Sequence, residues 1–247
     1  MGAWEGGPTW PQRGGGDFSI KVYDSTYTST TPPRTLASLC GHRGTVHALR
    51  PWSSDARHLL SASADGTVAL WDMRAPSARP ALQLCVRGGR GGGGMESVGV
   101  PLNSGSAASS SGGGYELHAL AVRPTGALAG HGAGCGPREV VFGGSDGSLG
   151  VLDLSAGRIV AAARVHAGAV RGVDAYGPLL ASVGDDGGLG ISALTLAGVG
   201  ESGGGAGIAV LAMRHDHTDK TLCARWHHSA PALISTSADK TALLYTW

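Results

Sequence analysis

LLSASADGTVALWD, residues 59–72, is the stretch that decides the fold. Leu60, Ala62 and Ala64 alternate with Ser61, Ser63 and Asp65, the period of a half-buried strand. Asp65-Gly66 is a favoured pair for a tight hairpin turn, in which both turn positions are expected at positive φ. Thr67 to Trp71 then resumes a strand with β-branched and aromatic residues. Altered copies of the stretch recur as VVFGGSDGSLGVLD, LLASVGDDGGLGIS and ALISTSADKTALLYT. Upstream, Gly41-His42 precedes another alternating run, Thr45 to Arg50, and Ala81 to Val86 reads as a fourth strand. The repeated unit is therefore four short antiparallel strands that open with Gly-His and close the third strand with Trp-Asp.

The turn aspartates Asp17, Asp65, Asp146, Asp186 and Asp239 set the period, with gaps of 48, 81, 40 and 53 residues. The longest gap holds the Gly/Ser-rich stretch 87–114 and the last holds 197–208. Both read as flexible inserts, and without them each gap approaches about 40–45 residues, one four-stranded propeller unit. Residues 1–16 read as a disordered tail and 17–247 as one repeat segment.

Bulk properties narrow the function classes. The 247-residue chain has a formal net charge of +1, which gives no electrostatic reason to expect a nucleic-acid or membrane partner. No apolar run approaches the roughly 20 residues of a membrane span. Cys40, Cys85, Cys135 and Cys223 lie far apart without a CxxC pair, so unpaired thiols in a reduced, cytoplasmic protein are expected.

Four motif-like stretches resemble chemical sites without completing them. Gly143–Gly147 fits G-x-S-x-G, which would make Ser145 a hydrolase nucleophile, but the elbow needs a helix after the turn and SLGVLDL reads as a strand. His215-Asp216-His217 and His227-His228 offer metal donors without the four convergent ligands, or three plus water, that a zinc site needs. Gly130–Gly136 lacks the Lys-Ser/Thr of a phosphate cradle. Arg87 to Arg90 carries too few charges for an RNA-binding tail. No catalytic, cofactor or metal residue is assigned, and the protein is expected not to be an enzyme. Trp52 and Trp226, at the ends of first strands beside arginines, are candidate interface anchors if exposed, although a first-strand aromatic of a blade more often belongs to the core between blades.

From Asp17 onward the repeats resemble the WD40 family of β-propellers. The resemblance implies an all-β propeller of four-stranded antiparallel blades, here about four blades plus a half, beginning and ending partway through a blade. It also implies a buried hydrogen-bonded set in each blade. Carried over residue by residue, that set is His42, Ser61, Asp65 and Trp71 in the first full blade. It is His166, Ser182 and Asp186 in the third, with Ser192 in the Trp position, and His217, Ser235 and Asp239 in the last, with Tyr245 in the Trp position. The blade with Asp146 has Phe142 and Leu152 where Ser and Trp belong. It is expected to lack the network, and the middle blades to be looser than the first.

HTDKTLCARWHHSAPALISTSADKTALLYTW at the C-terminal end, GDFSIKVYD leading into LCGHRGTVHAL, MRAPS and DLSAGRIV further resemble nemitin-type WD40 proteins. That resemblance implies a protein-binding scaffold with protein partners, linked to microtubules or cilia. The alternatives are a propeller subunit of another complex (RNA processing, ubiquitin ligation or trafficking) and, remotely, a serine hydrolase.

Overall fold

A computed structural model describes residues 18–23, 35–52, 57–74, 79–87, 96–99, 114–123, 139–195, 207–227 and 229–246. The tail 1–16, Asp17, Cys135, His228 and most of both inserts lie outside these residues. Among the described residues every regular element is a strand, and no helix is long and apolar enough to cross a membrane.

The strands form consecutive antiparallel sheets. β1 (Ser19–Tyr23) and β2 (Thr35–Cys40) make a half-blade. Blade 1 holds β3 (Val46–Pro51), β4 (His58–Ser63), β5 (Thr67–Asp72), β6 (Leu82–Arg87) and β7 (Glu96–Gly99). Blade 2 holds β8 (Leu117–Val122), β9 (Glu139–Gly144), β10 (Ser148–Asp153) and β11 (Arg158–Arg164). In blade 3 the strands are β12 (Val170–Tyr176), β13 (Leu179–Gly184), β14 (Leu189–Thr195) and β15 (Gly207–Arg214). Blade 4 has β16 (Thr221–Trp226), β17 (Ala232–Ser237) and β18 (Ala242–Thr246). This is the all-β, WD40-propeller type of architecture that the repeats imply.

The inserts are not wholly without regular structure. Residues 96–99, inside 87–114, form β7 on the outer edge of blade 1, with Glu96 opposite Arg87 and Gly99 opposite Leu84. The last two residues of the second insert, 207 and 208, begin β15 (Gly207–Arg214). In each case a strand edge supplies unpaired backbone groups that a neighbouring segment completes.

The hairpin turn also differs from its sequence reading. Three residues, Ala64, Asp65 and Gly66, link β4 to β5, and only Gly66 has positive φ, at 77°. This matches a type I turn followed by a left-handed residue. Gly147 (φ 86°) and Gly187 (φ 73°) repeat it in blades 2 and 3, whereas Lys240 (φ 70°) takes the position in blade 4.

Apolar packing runs between blades. Ile20, Val22 and Leu39 of the half-blade pack on Leu49, Leu59 and Trp71 of blade 1. Leu60 and Leu84 of blade 1 meet Leu120, Phe142 and Leu152 of blade 2. Val141, Leu149 and Val151 of blade 2 meet Val170, Val173 and Leu180 of blade 3, and Val183 and Leu189 of blade 3 meet Ala224 and Leu233 of blade 4. Each strand's two faces are therefore both used, which is why strands such as β9 and β13 are apolar on consecutive residues and not only on alternate ones.

The first strands β3, β8, β12 and β16 lie side by side. Each carries a bulge after its first residue, between Val46 and Ala48, Leu117 and Ala119, Val170 and Gly172, and Thr221 and Cys223. The extra residues are His47, His118, Arg171 and Leu222. A bulge takes a side chain out of strand alternation and re-aims it, and all four line one groove of about 400 Å³ along the inner strands.

Candidate functional site

Two constellations stand out: the buried networks and the groove. In blade 1, Trp71 Nε1 donates to Ser61 Oγ at 2.8 Å, and Ser61 Oγ lies 2.7 Å from His42 Nε2. His42 Nδ1 lies 3.0 Å from Asp65 Oδ2 and 3.1 Å from Thr67 Oγ1. An indole N–H can only donate. Every partner is therefore satisfied when Ser61 O–H donates to Nε2 and the Nδ1–H of a neutral His42 donates to Asp65. The Asp65 carboxylate also accepts the backbone N–H of Arg43 at 2.7 Å and of Thr67 at 3.0 Å. Burial would raise this carboxyl, but the hydrogen bonds from His42, Thr67 and Arg43 outweigh it and hold the group below its ordinary value.

Blades 3 and 4 repeat part of the set. His166 reaches Ser182 at 2.9 Å and Asp186 at 2.9 Å. His217 reaches Ser235 at 2.8 Å and Asp239 at 3.0 Å. Ser192, in the Trp position of blade 3, is fully buried and its Oγ has no hydrogen-bond partner. Tyr245, in the same position of blade 4, packs with Trp226 on the core shared by blades 3 and 4.

Blade 2 lacks the His, Ser and Trp of the set, as its sequence implies, but it is not without a polar tie. Tyr115 Oη bonds Ser148 Oγ, and Ser148 in turn bonds Asp146. Ser148 occupies the place of Thr67, so a tyrosine arriving from just before β8 replaces the histidine. Phe142 fills the space of the missing set, fully buried, with Gly150 opposite it in the ladder. A Cβ on Gly150 would stand 2.1 Å from the Phe142 ring.

The His42–Ser61–Asp65 contacts have the order of a hydrolase triad, yet Ser61 is 0% exposed and its oxygen is already held by both Trp71 and His42. Ser145 sits in the β9–β10 turn, accepts the backbone N–H of Glu116 at 3.2 Å, and is followed by a strand. Neither serine has the exposure and base that nucleophilic attack requires.

Trp52 and Trp226, the candidate anchors, both sit at blade junctions, where the inter-blade alternative places them. Trp52 is half-buried against the core between blades 1 and 2. Trp226 is half-buried, stacked on Tyr176 of blade 3 at 5.7 Å, and its backbone N–H donates to Asp174 at 2.8 Å. Large aromatic surface at blade junctions is driven inward by apolar burial.

His217 is committed to the blade 4 network, Asp216 is bonded by Arg214 at 2.8 Å, and His227 Nδ1 accepts from the backbone of Ala230 at 3.1 Å. Cys40, Cys85 and Cys223 are unpaired.

The groove is the accessible polar site. Arg50, Arg171 and Arg225 line it with His47 and His118. Arg171 is held by Asp185 through two bonds of 2.8 and 2.6 Å. Arg225 Nη1 donates to Val173 O across the blade 3–4 junction at 3.1 Å. Arg50 is lowered from its ordinary value by burial, against the attraction of Asp174. The groove thus offers cations whose orientation is fixed by the blades. The sequence reading missed it because its members come from four different repeats, and His47, His118 and Arg171 stand on bulges that strand alternation does not announce.

Comparison with known proteins agrees with this architecture. The WD40 family (WD domain, G-beta repeat) matches residues 33–72, which span β2 to β5. The chain is also similar to the target of rapamycin complex subunit LST8 of Saccharomyces cerevisiae (strain ATCC 204508 / S288c), 39% identical over 62 residues. That alignment covers 25% of this chain and 19% of the relative's length. Residues 33–72 therefore carry a WD40 repeat, set in a succession of sheets of the WD40-propeller type.

Proposed function

We propose that the chain is a non-enzymatic scaffold that holds protein partners, with the groove along β3, β8, β12 and β16 as its principal contact surface. The observation that supports this reading is the pairing of sealed networks with an open charged groove. The serines with triad-like partners are buried, while Arg50, Arg171 and Arg225 face a cavity of about 400 Å³. Arginines held in a fixed orientation keep their charge and their remaining N–H donors aimed at little entropic cost, which suits acidic segments of a protein partner.

The finer reading is a cytoplasmic scaffold with a microtubule or ciliary context, supported by the nemitin-type segments in the sequence. A formal net charge of +1 gives little electrostatic attraction to an acidic tubulin surface, so recruitment goes through a partner protein. The likeness to a subunit of the target of rapamycin complex favours a second reading, in which the chain is a propeller subunit of another multiprotein assembly. Affinity purification of the tagged chain with mass spectrometry separates the two. Tubulin-associated or ciliary proteins are the expected result. Subunits of a kinase, ligase or RNA-processing complex would replace the first reading by the second. Microtubule co-sedimentation of the purified chain alone at physiological salt would contradict recruitment through a partner. Recovery without any stoichiometric protein would sink the scaffold itself.

A further inference from the structure

A feature of the groove goes beyond scaffolding. His47 is the bulged residue of β3 and His118 that of β8, so two adjacent blades deliver imidazoles to one place. Their ring centroids lie 4.6 Å apart. Glu116, two residues before His118, places a carboxylate oxygen 3.6 Å from His118 Nε2. One donor atom from each of His47, Glu116 and His118 lies within 4.8 Å of the other two.

We propose that His47, Glu116 and His118 form a binding site for a divalent transition-metal ion of the zinc class, bridging blades 1 and 2 at the groove.

The donor set is chemically selective. Two imidazoles and one carboxylate suit Zn²⁺, Co²⁺ or Ni²⁺, whereas Mg²⁺ and Ca²⁺ require oxygen donors. Three protein ligands with a fourth position open is the pattern of an accessible zinc site. Tetrahedral bonds of about 2.0–2.1 Å put donor atoms about 3.3 Å apart, close to the present Glu116–His118 separation. His47 is exposed and can rotate to complete the set.

His118 is held in place by burial: its side chain is only 9% exposed, with Nε2 turned towards Glu116. Arg171, the nearby cation, is paired with Asp185. His47 and His118 line the groove, so water or a side chain of a bound protein would complete the sphere.

The test uses the whole chain after exhaustive chelation. Zn²⁺ is titrated by calorimetry, and Co²⁺ by visible absorption, which reports its coordination directly. Expected are one ion per chain and intense low-symmetry Co²⁺ bands. His47→Ala and Glu116→Gln each lower the affinity by at least ~10-fold, since even second-shell losses cost that much. His215→Ala, an exposed histidine outside the groove, leaves it unchanged. Both site variants alter accessible side chains, so circular dichroism and the unfolding midpoint without metal stay at wild-type values. The absence of saturable Zn²⁺ binding overturns the proposal. So does binding that survives both substitutions, because the donors then lie elsewhere.

Discussion

Blades 1 and 2 fill equivalent space with opposite chemistry. Blade 1 threads Trp71, Ser61, His42 and Asp65 into a chain of hydrogen bonds, every link between 2.7 and 3.0 Å. Blade 2 puts Phe142 and Leu152 there, both fully buried, and keeps only Tyr115–Ser148–Asp146 at the rim. The net worth of a neutral hydrogen bond is about 1 kcal/mol, while full burial of a Phe side chain contributes roughly 1.5–3 kcal/mol. The apolar solution is therefore not intrinsically weaker. A polar network is expensive only when part of it is missing. By that rule blade 3, where the hydroxyl of Ser192 occupies the Trp position unpaired, is expected to be looser than blade 2, where the whole set has been exchanged.

The sharpest way to break this comparison is Phe142→Ala. It leaves a cavity among Leu60, Leu120 and Leu152 and is expected to destabilise the chain by about 4 kcal/mol, seen as a lower denaturant midpoint. A loss under half that would mean that blade 2 is held by its rim and not by its filling. Next is Asp65→Asn, which removes a charged acceptor from His42, Arg43 and Thr67 and is expected to cost about 2 kcal/mol at pH 7. Because the folded Asp65 carboxyl sits below its ordinary value of 3.8, its contribution is complete above that region. It is lost as pH falls through the folded value. The variant should show a shallower loss of stability below about pH 4; an unchanged acid limb would contradict the network's role.

Ser192→Ala acts in the opposite direction. Removing a buried hydroxyl without a partner should stabilise by about 1 kcal/mol, read as a raised midpoint. Destabilisation would show that Ser192 has a partner. The smallest effect concerns Lys240. Left-handed backbone costs a non-glycine residue about 1–2 kcal/mol, offset by the roughly 0.5–1 kcal/mol of entropy that glycine loses on folding. Lys240→Gly should therefore stabilise by about 0.5 kcal/mol. The matched change Gly147→Ala, with a Cβ 2.0 Å from His166 O, should be far more damaging than any effect at Lys240.

Much of the repeat was legible because local rules and the fold agree. The alternation of Leu60–Asp65 and the β-branched run after Gly66 place β4 and β5 within two residues of their bounds, although β4 is buried on both faces and not on one. His42, Ser61, Asp65 and Trp71 were readable as a set only through the family pattern, since no local rule joins residues that far apart. For the same reason Tyr115 escaped notice: its hydroxyl substitutes for a histidine from a different place in the chain. His47, Glu116 and His118 were invisible because metal motifs are read as spacing along one element, whereas here two strands of different blades supply the donors. Trp52 and Trp226 stayed open between interface and core because sequence records an aromatic beside an arginine but not which neighbouring blade covers it.

The bulge repeated in β3, β8, β12 and β16 has a wider consequence. His47, His118, Arg171 and Leu222 each stand outside the ladder register, so the sheet does not care what they are. They behave as four interchangeable sockets on one rigid frame. Recoding them would change what the groove recognises, cation, acid or apolar surface, while every hydrogen bond that defines the blades stays in place.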